Sequence, residues 1–147
     1  MNKEKYIEKL NKIFVSKDYT KLEIICLEMI PKYNESFLYY YLGKAQFKMN
    51  MLSSSEYNLK KSIFMNPNFF DSYNILADIY ITLKEPNLAI DNLSKSIEVD
   101  PNNINIHIKY ITILINQKNK DKSIKALNNA INLFPNSKEL KEFKNNI

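Results

Sequence analysis

The 147-residue chain has no arginine and no tryptophan, and it has only one glycine, one cysteine and one histidine. Each scarcity closes off a class of function. With Gly43 as the sole glycine, neither the glycine-rich loop of a dinucleotide site nor the loop that wraps phosphates can be built. Tight hairpins and β-sandwiches, which need glycine at many turns, are excluded on the same ground. Cys26 cannot form an internal disulfide, and Cys26 with His107 falls short of the usual zinc ligand sets. All 21 basic side chains are lysine, so the bidentate grip of arginine on phosphate is missing. No apolar run approaches the roughly 18 residues of a membrane span. The N-terminal stretch MNKEKYIEKL is charged where a signal peptide would be apolar. These absences predict no cofactor, no metal, no small-molecule substrate, no membrane insertion and, from the lone cysteine, a cytoplasmic setting.

The composition that remains is that of a folded helical chain. Apolar residues make up 45%, enough to argue against disorder and for a single domain with a core of its own. Asparagine (21) and isoleucine (20) are abundant. Both share AT-rich codons with lysine and tyrosine, which warns against reading the lysines as chemistry. The net charge of +5 is unevenly placed. Residues 1–100 hold 13 Lys against 13 acids, and residues 101–147 hold 8 Lys against 3 acids. The stretch NQKNKDKSIK (116–125) carries Lys118, Lys120, Lys122 and Lys125 around Asp121. It reads as a solubilising turn rather than a nucleic-acid site.

Pro67, Pro101 and Pro135 lie 34 residues apart, and each is preceded by the same pattern. YYYLGKAQ begins at Tyr39, YNILADIY at Tyr73 and HIKYITIL at His107. Each is followed by a small residue, a large one and a small one: Ser55, Leu59 and Ser62; Ala89, Leu93 and Ser96; Ser123, Leu127 and Ala130. Tyr73, Leu76 and Tyr80 fall on one helical stripe, and Ala77 and Gly43 are small where two helices must approach closely. Each unit is then a helix pair that cannot bury its apolar face alone, and stacked units share one core.

This pattern resembles the tetratricopeptide repeat, whose 34-residue unit reads aromatic-x2-Leu-Gly-x2-Tyr, then Ala-x3-Phe, then Pro. Unit 70–103 matches best, with Tyr73, Leu76, Ala77, Tyr80, Ala89, Leu93 and Pro101. Unit 36–69 departs at Gln46 and Ser55, and unit 104–137 departs at His107, Tyr110 and Ile111. Residues 3–35 form a degenerate first unit whose Pro31 falls early, predicting a distorted junction or an early helix end. Residues 138–147 form a capping helix with Ser137 as N-cap and Leu140, Phe143 and Ile147 as its apolar stripe. The resemblance implies an all-α fold, a right-handed superhelical array of about nine helices.

The resemblance also implies a concave face built from the first helix of each pair. Counting turns places Phe37, Tyr40, Lys44, Phe47 and Lys48 on it. Asp71, Asn74, Asp78, Ile81 and Thr82 follow, then Asn105, Ile108, Thr112 and Ile115, with Phe47, Ile81 and Ile115 equally able to pack against a neighbouring helix. Aromatic, amide and charged groups in that mixture suit a peptide. Family members that grip a C-terminal carboxylate use lysine, asparagine and arginine at set positions. The matching residues here are Ile7, Asn11, Tyr41, Asp71 and Ile75 or, one unit later, Tyr40, Lys44, Ile75, Asn105 and Lys109. Only Asn11 fits in the first frame and only Lys109 comes near in the second, so that clamp is not supported. The asparagine ladder of sugar-transferase arrays is also missing, since Tyr41, Ile75 and Lys109 stand at its rungs. His107 sits in an aromatic packing slot.

The expected function is a non-catalytic protein-interaction module, an adaptor or scaffold that binds a protein or peptide segment along the concave face. The alternatives are a docking domain of a larger enzyme and a small chaperone for a secreted partner.

Overall fold

The computed structural model describes residues 2–146. Among the described residues there are nine helices and no strand: α1 (Lys3–Val15), α2 (Tyr19–Tyr33), α3 (Ser36–Lys48), α4 (Leu52–Met65), α5 (Phe70–Thr82), α6 (Pro86–Val99), α7 (Ile104–Asn116), α8 (Lys120–Leu133) and α9 (Lys138–Asn146). They form an all-α array of helix pairs. Ile147, assigned above to the capping stripe, lies outside the described residues.

The turn inside each pair uses one device four times. Lys17, Asn50, Lys84 and Lys118 adopt a left-handed conformation, with φ of 62°, 60°, 60° and 55°. Glycine is the usual residue there. In three of these turns the next amide bonds back across the helix end: Met51 to Gln46 O (2.9 Å), Glu85 to Tyr80 O (2.8 Å) and Asn119 to Leu114 O (3.0 Å). Two of the turns between pairs are Asx turns. Asn68 N donates to Asn66 Oδ1, and Asn102 N donates to Asp100 Oδ1, each at 3.2 Å. Pro31 does not end its helix. It sits inside α2, and the chain turns instead at Asn34, left-handed with φ of 43°. Ser137 caps α9 through Leu140 N at 3.3 Å.

The close helix approaches fall where the small residues are. Gly43 and Ala77 are buried, and Ser55 Oγ donates to Gly43 O at 2.6 Å, tying α4 to α3. The departures in unit 36–69 are satisfied locally. Gln46 donates to Glu23 Oε1 at 2.9 Å and accepts from Asn58 Nδ2 at 2.8 Å. Ile111, in the slot held by Gly43 and Ala77, is fully buried, and α7 meets α8 along a shorter seam than α3 meets α4 or α5 meets α6. The core divides there. One cluster runs from Leu10 to Ile113, and a smaller one joins Ile111, Leu127, Ala130 and Leu140.

Candidate functional site: the face of the first helices

Helices α1, α3 and α5 lie side by side, α3 touching both of the others, whereas second helices touch first helices almost exclusively. The first helices therefore pave one surface. Helix α7 extends it through a side chain: Lys109 Nζ lies 2.6 Å from Asp78 Oδ1 and 2.8 Å from Asn74 Oδ1 on α5. Asn74, Asp78 and Lys109 are all partly buried, so this bridge is less screened than a surface pair.

A second grouping forms around Lys44. Its ammonium lies 4.1 Å from the Phe14 ring centroid, 5.2 Å from that of Tyr40 and 5.8 Å from that of Tyr41. Burial pulls the Lys44 pKa down, and Asp71 pushes the other way. Burial pushes the Asp71 carboxyl up, opposed by the positive charge of Lys44. The two feel each other without forming an ion pair within 4 Å. The surface thus presents a half-buried ammonium against aromatic faces, with a half-buried carboxylate that feels its charge.

The expected residues divide into three sets. Phe37 and Tyr40, expected on the open face, are core residues only 2% and 6% exposed. Tyr40 packs edge-on against Phe69 at 4.7 Å and Tyr41 at 5.1 Å, because α3 is enclosed by helices on several sides. Phe47 packs against the larger core cluster, while Ile108 and Ile115 pack against the smaller one. Lys44, Asp71, Asn74, Asp78 and Thr112 are half-buried, and Lys48, Thr82 and Asn105 are exposed. Thr82 and Thr112 turn their hydroxyls back onto Asp78 O and Ile108 O. Phe14 and Lys109 complete the two polar groupings and were not among the expected residues. For Lys109 the signal was its register with Tyr41 and Ile75, where a long cation reaches across to α5.

Elsewhere His107 is a packing residue. It is 5% exposed, hydrogen-bonded through Nε2 to Pro101 O at 2.9 Å and edge-on to Phe134. Among the described residues no group of three or more His, Cys, Asp and Glu side chains could hold a metal ion, and no helix is long and apolar enough to cross a membrane.

Comparison with known proteins agrees with this architecture. Family models described as "Tetratricopeptide repeat" match residues 70–103 and 109–137. No curated protein matches the chain. Among solved structures, MamA aligns at 19% identity over 99% of this chain and 82% of its own, with a TM-score of 0.78. YrrB, described as a TPR protein with an unusual peptide-binding site, aligns at 16% identity over 92% of this chain and 71% of its own, with a TM-score of 0.73. A thermophilic TPR protein of Thermus thermophilus aligns at 16% identity over 86% of this chain and 72% of its own, with a TM-score of 0.70. At these identities the likeness concerns the fold.

Proposed function

The chain belongs to the tetratricopeptide-repeat family and is a protein-interaction module; from that premise we propose that it binds a peptide or protein segment laid across α3, α5 and α7. The observation that carries this reading is the Asn74–Lys109–Asp78 bridge. It holds three polar groups half-buried and ordered on the face the first helices share, beside the aromatic-flanked ammonium of Lys44. A ligand meeting ordered groups loses less side-chain entropy on binding than one meeting mobile groups. Asparagine offers a donor and an acceptor to an extended backbone, and the charges set direction and selectivity. The peptide-binding site described for YrrB shows this fold in such a role elsewhere. With the carboxylate-clamp residues missing, a free C-terminus on the partner is not required.

The test is affinity capture with the whole chain as bait, then titration calorimetry with the captured partner. Asn74→Ala and Thr82→Ala should each weaken binding by about 1 kcal/mol, near fivefold, with the melting temperature little changed. Tyr40→Ala is unsuitable as a probe, because removing a buried ring is expected to cost about 3–5 kcal/mol of stability. Binding untouched by both substitutions would move the site off this face.

A further inference from the structure

A second opening lies between α6, α7 and α8, away from the polar groups just described. Two cavities of about 400 and 270 Å³ share Tyr110, Ala126 and Asn129. Their combined size falls within the roughly 300–1,000 Å³ range of ligand clefts. Ile97 and Leu133 line the larger, and Lys122 and Lys125 line the smaller. We propose that this cleft is a binding site for an acidic peptide segment that inserts one large apolar side chain between Tyr110 and Ala126.

The cleft has an identifiable cause. Tyr110 takes the slot that Leu42 and Leu76 fill in the preceding units, each of them only 2% exposed, and Tyr110 stays half-open. Ala126 takes the slot of Asn58 and Asn92, so a longer side chain is missing where the helices part. Ile111, in the small-residue slot, holds α7 away from α8. The two core clusters meet here without merging. Ile97 and Tyr110 pack on the larger, and Ala126 packs on the smaller. Apolar surface is left open at the seam, and Leu133 is 49% exposed there.

Charge selects the occupant. Among the described residues neither Lys122 nor Lys125 has an acidic partner within 4 Å. Lys118 and Lys120 lie just upstream, and residues 101–147 carry the whole net charge of +5. Asp91 on α6 also bears on Tyr110. An acidic segment is therefore attracted over α8. The apolar anchor supplies affinity and the lysines supply selectivity. This site is additional to the first-helix face and does not depend on it.

The test uses three fluorescent peptides of about a dozen residues, the length of a short recognition segment. One carries a leucine and a phenylalanine one helical turn apart among glutamates, one has lysines for the glutamates, and one has serines for the apolar pair. Fluorescence anisotropy with the full chain should show saturable, salt-sensitive binding of the first peptide alone. Ala126→Phe, which fills the cleft, and Lys122→Glu/Lys125→Glu should each weaken it about tenfold or more, while Asn74→Ala leaves it unchanged. If Ala126→Phe unfolds the chain by circular dichroism, the charge-reversal variant decides. Several results would overturn the proposal: no saturable binding, equal binding of the lysine peptide, or insensitivity to both variants. So would loss of binding in Asn74→Ala, or displacement by a single-stranded oligonucleotide whose own binding ignores Ala126→Phe.

Discussion

Gly43→Ala should destabilise the protein, although the same change in an open helix would stabilise it. Alanine in a helix interior is favoured over glycine by about 1 kcal/mol. At Gly43 that gain meets a wall. A Cβ there would stand 2.7 Å from Leu59 Cγ, 3.1 Å from Leu59 Cδ2 and 3.1 Å from Ser55 O, whereas carbons in comfortable contact sit about 3.5–4.0 Å apart. Leu59 is fully buried, and its Cγ is the branch carbon, so it cannot swing clear as a chain end would. Ser55 O belongs to the α4 backbone, and Ser55 Oγ pins that helix to Gly43 O at 2.6 Å. The helices must separate or Leu59 must leave its rotamer, at a cost of about 1–3 kcal/mol. Subtracting the helical gain leaves a net loss of about 1 kcal/mol, or roughly 4 °C in Tm. Urea denaturation followed by far-UV circular dichroism reads this directly, provided the slope m is unchanged.

A double-mutant cycle isolates the cause. Leu59→Ala alone should cost about 2–5 kcal/mol as a cavity. It also deletes the two carbons nearest the new Cβ. In that background Gly43→Ala should turn neutral or stabilising, since only Ser55 O remains close. A change of sign between backgrounds is the signature of steric coupling. Stabilisation by Gly43→Ala in the parent chain, or an equal loss in both backgrounds, would refute the close-approach argument.

Ala77→Leu should cost on the order of 1–3 kcal/mol by overpacking, whereas Ile111→Leu, in a slot that already holds a large side chain, should cost under about 1.5 kcal/mol; thermal melts that coincide would contradict the difference between the seams. The Cys26 thiol is fully buried, and burial pushes its pKa up to about 12, with Glu23 adding to the shift. Folded protein near neutral pH should therefore resist a thiol reagent that labels it at once in urea, and rapid labelling of the native chain would count against that burial. Deleting residues 137–147 removes Leu140 and Phe143 from the smaller core cluster and leaves Ile111, Leu127 and Ala130 uncovered; the truncated chain should self-associate in light scattering, and a monomeric truncation would make α9 dispensable.

The repeat frame was legible because packing imposes it. Small residues at Gly43 and Ala77, the stripe around Tyr73, Leu76 and Tyr80, and prolines at one spacing are all consequences of helices that must touch. The left-handed residues of the turns were not legible. A chain with one glycine places Lys17, Asn50, Lys84 and Lys118 in the left-handed region, and no local preference of lysine announces that. Nor did wheel counting find the open face of α3. It gives the angle of a side chain about its own axis but not how many neighbours enclose that axis. Phe37 and Tyr40 lie on α3, which is enclosed by α1, α2, α4 and α5, and they are buried. On α5 and α7 the polar residues at those angles stayed partly open, and Asn74 and Asp78 found Lys109.

Departures from the repeat pattern divide by whether the rest of the fold answers them. Gln46 and Ser55 put polar groups where the pattern has tyrosine and alanine. Both are satisfied, Gln46 by Glu23 and Asn58, and Ser55 by the carbonyl of Gly43. No buried side-chain polar atom among the described residues lacks a partner. Such a departure costs little and implies nothing beyond stability. Ile111, Tyr110 and Ala126 are answered differently. A bulky residue parts two helices, a tyrosine replaces a buried leucine, and an alanine lines the gap. The fold closes around the first set and stays open around the second, at the one seam where its two cores fail to merge. An opening left uncompensated next to unpaired lysines is the kind of feature that stability alone does not require, which is why the C-terminal seam, as much as the first-helix face, is the place to look for a partner.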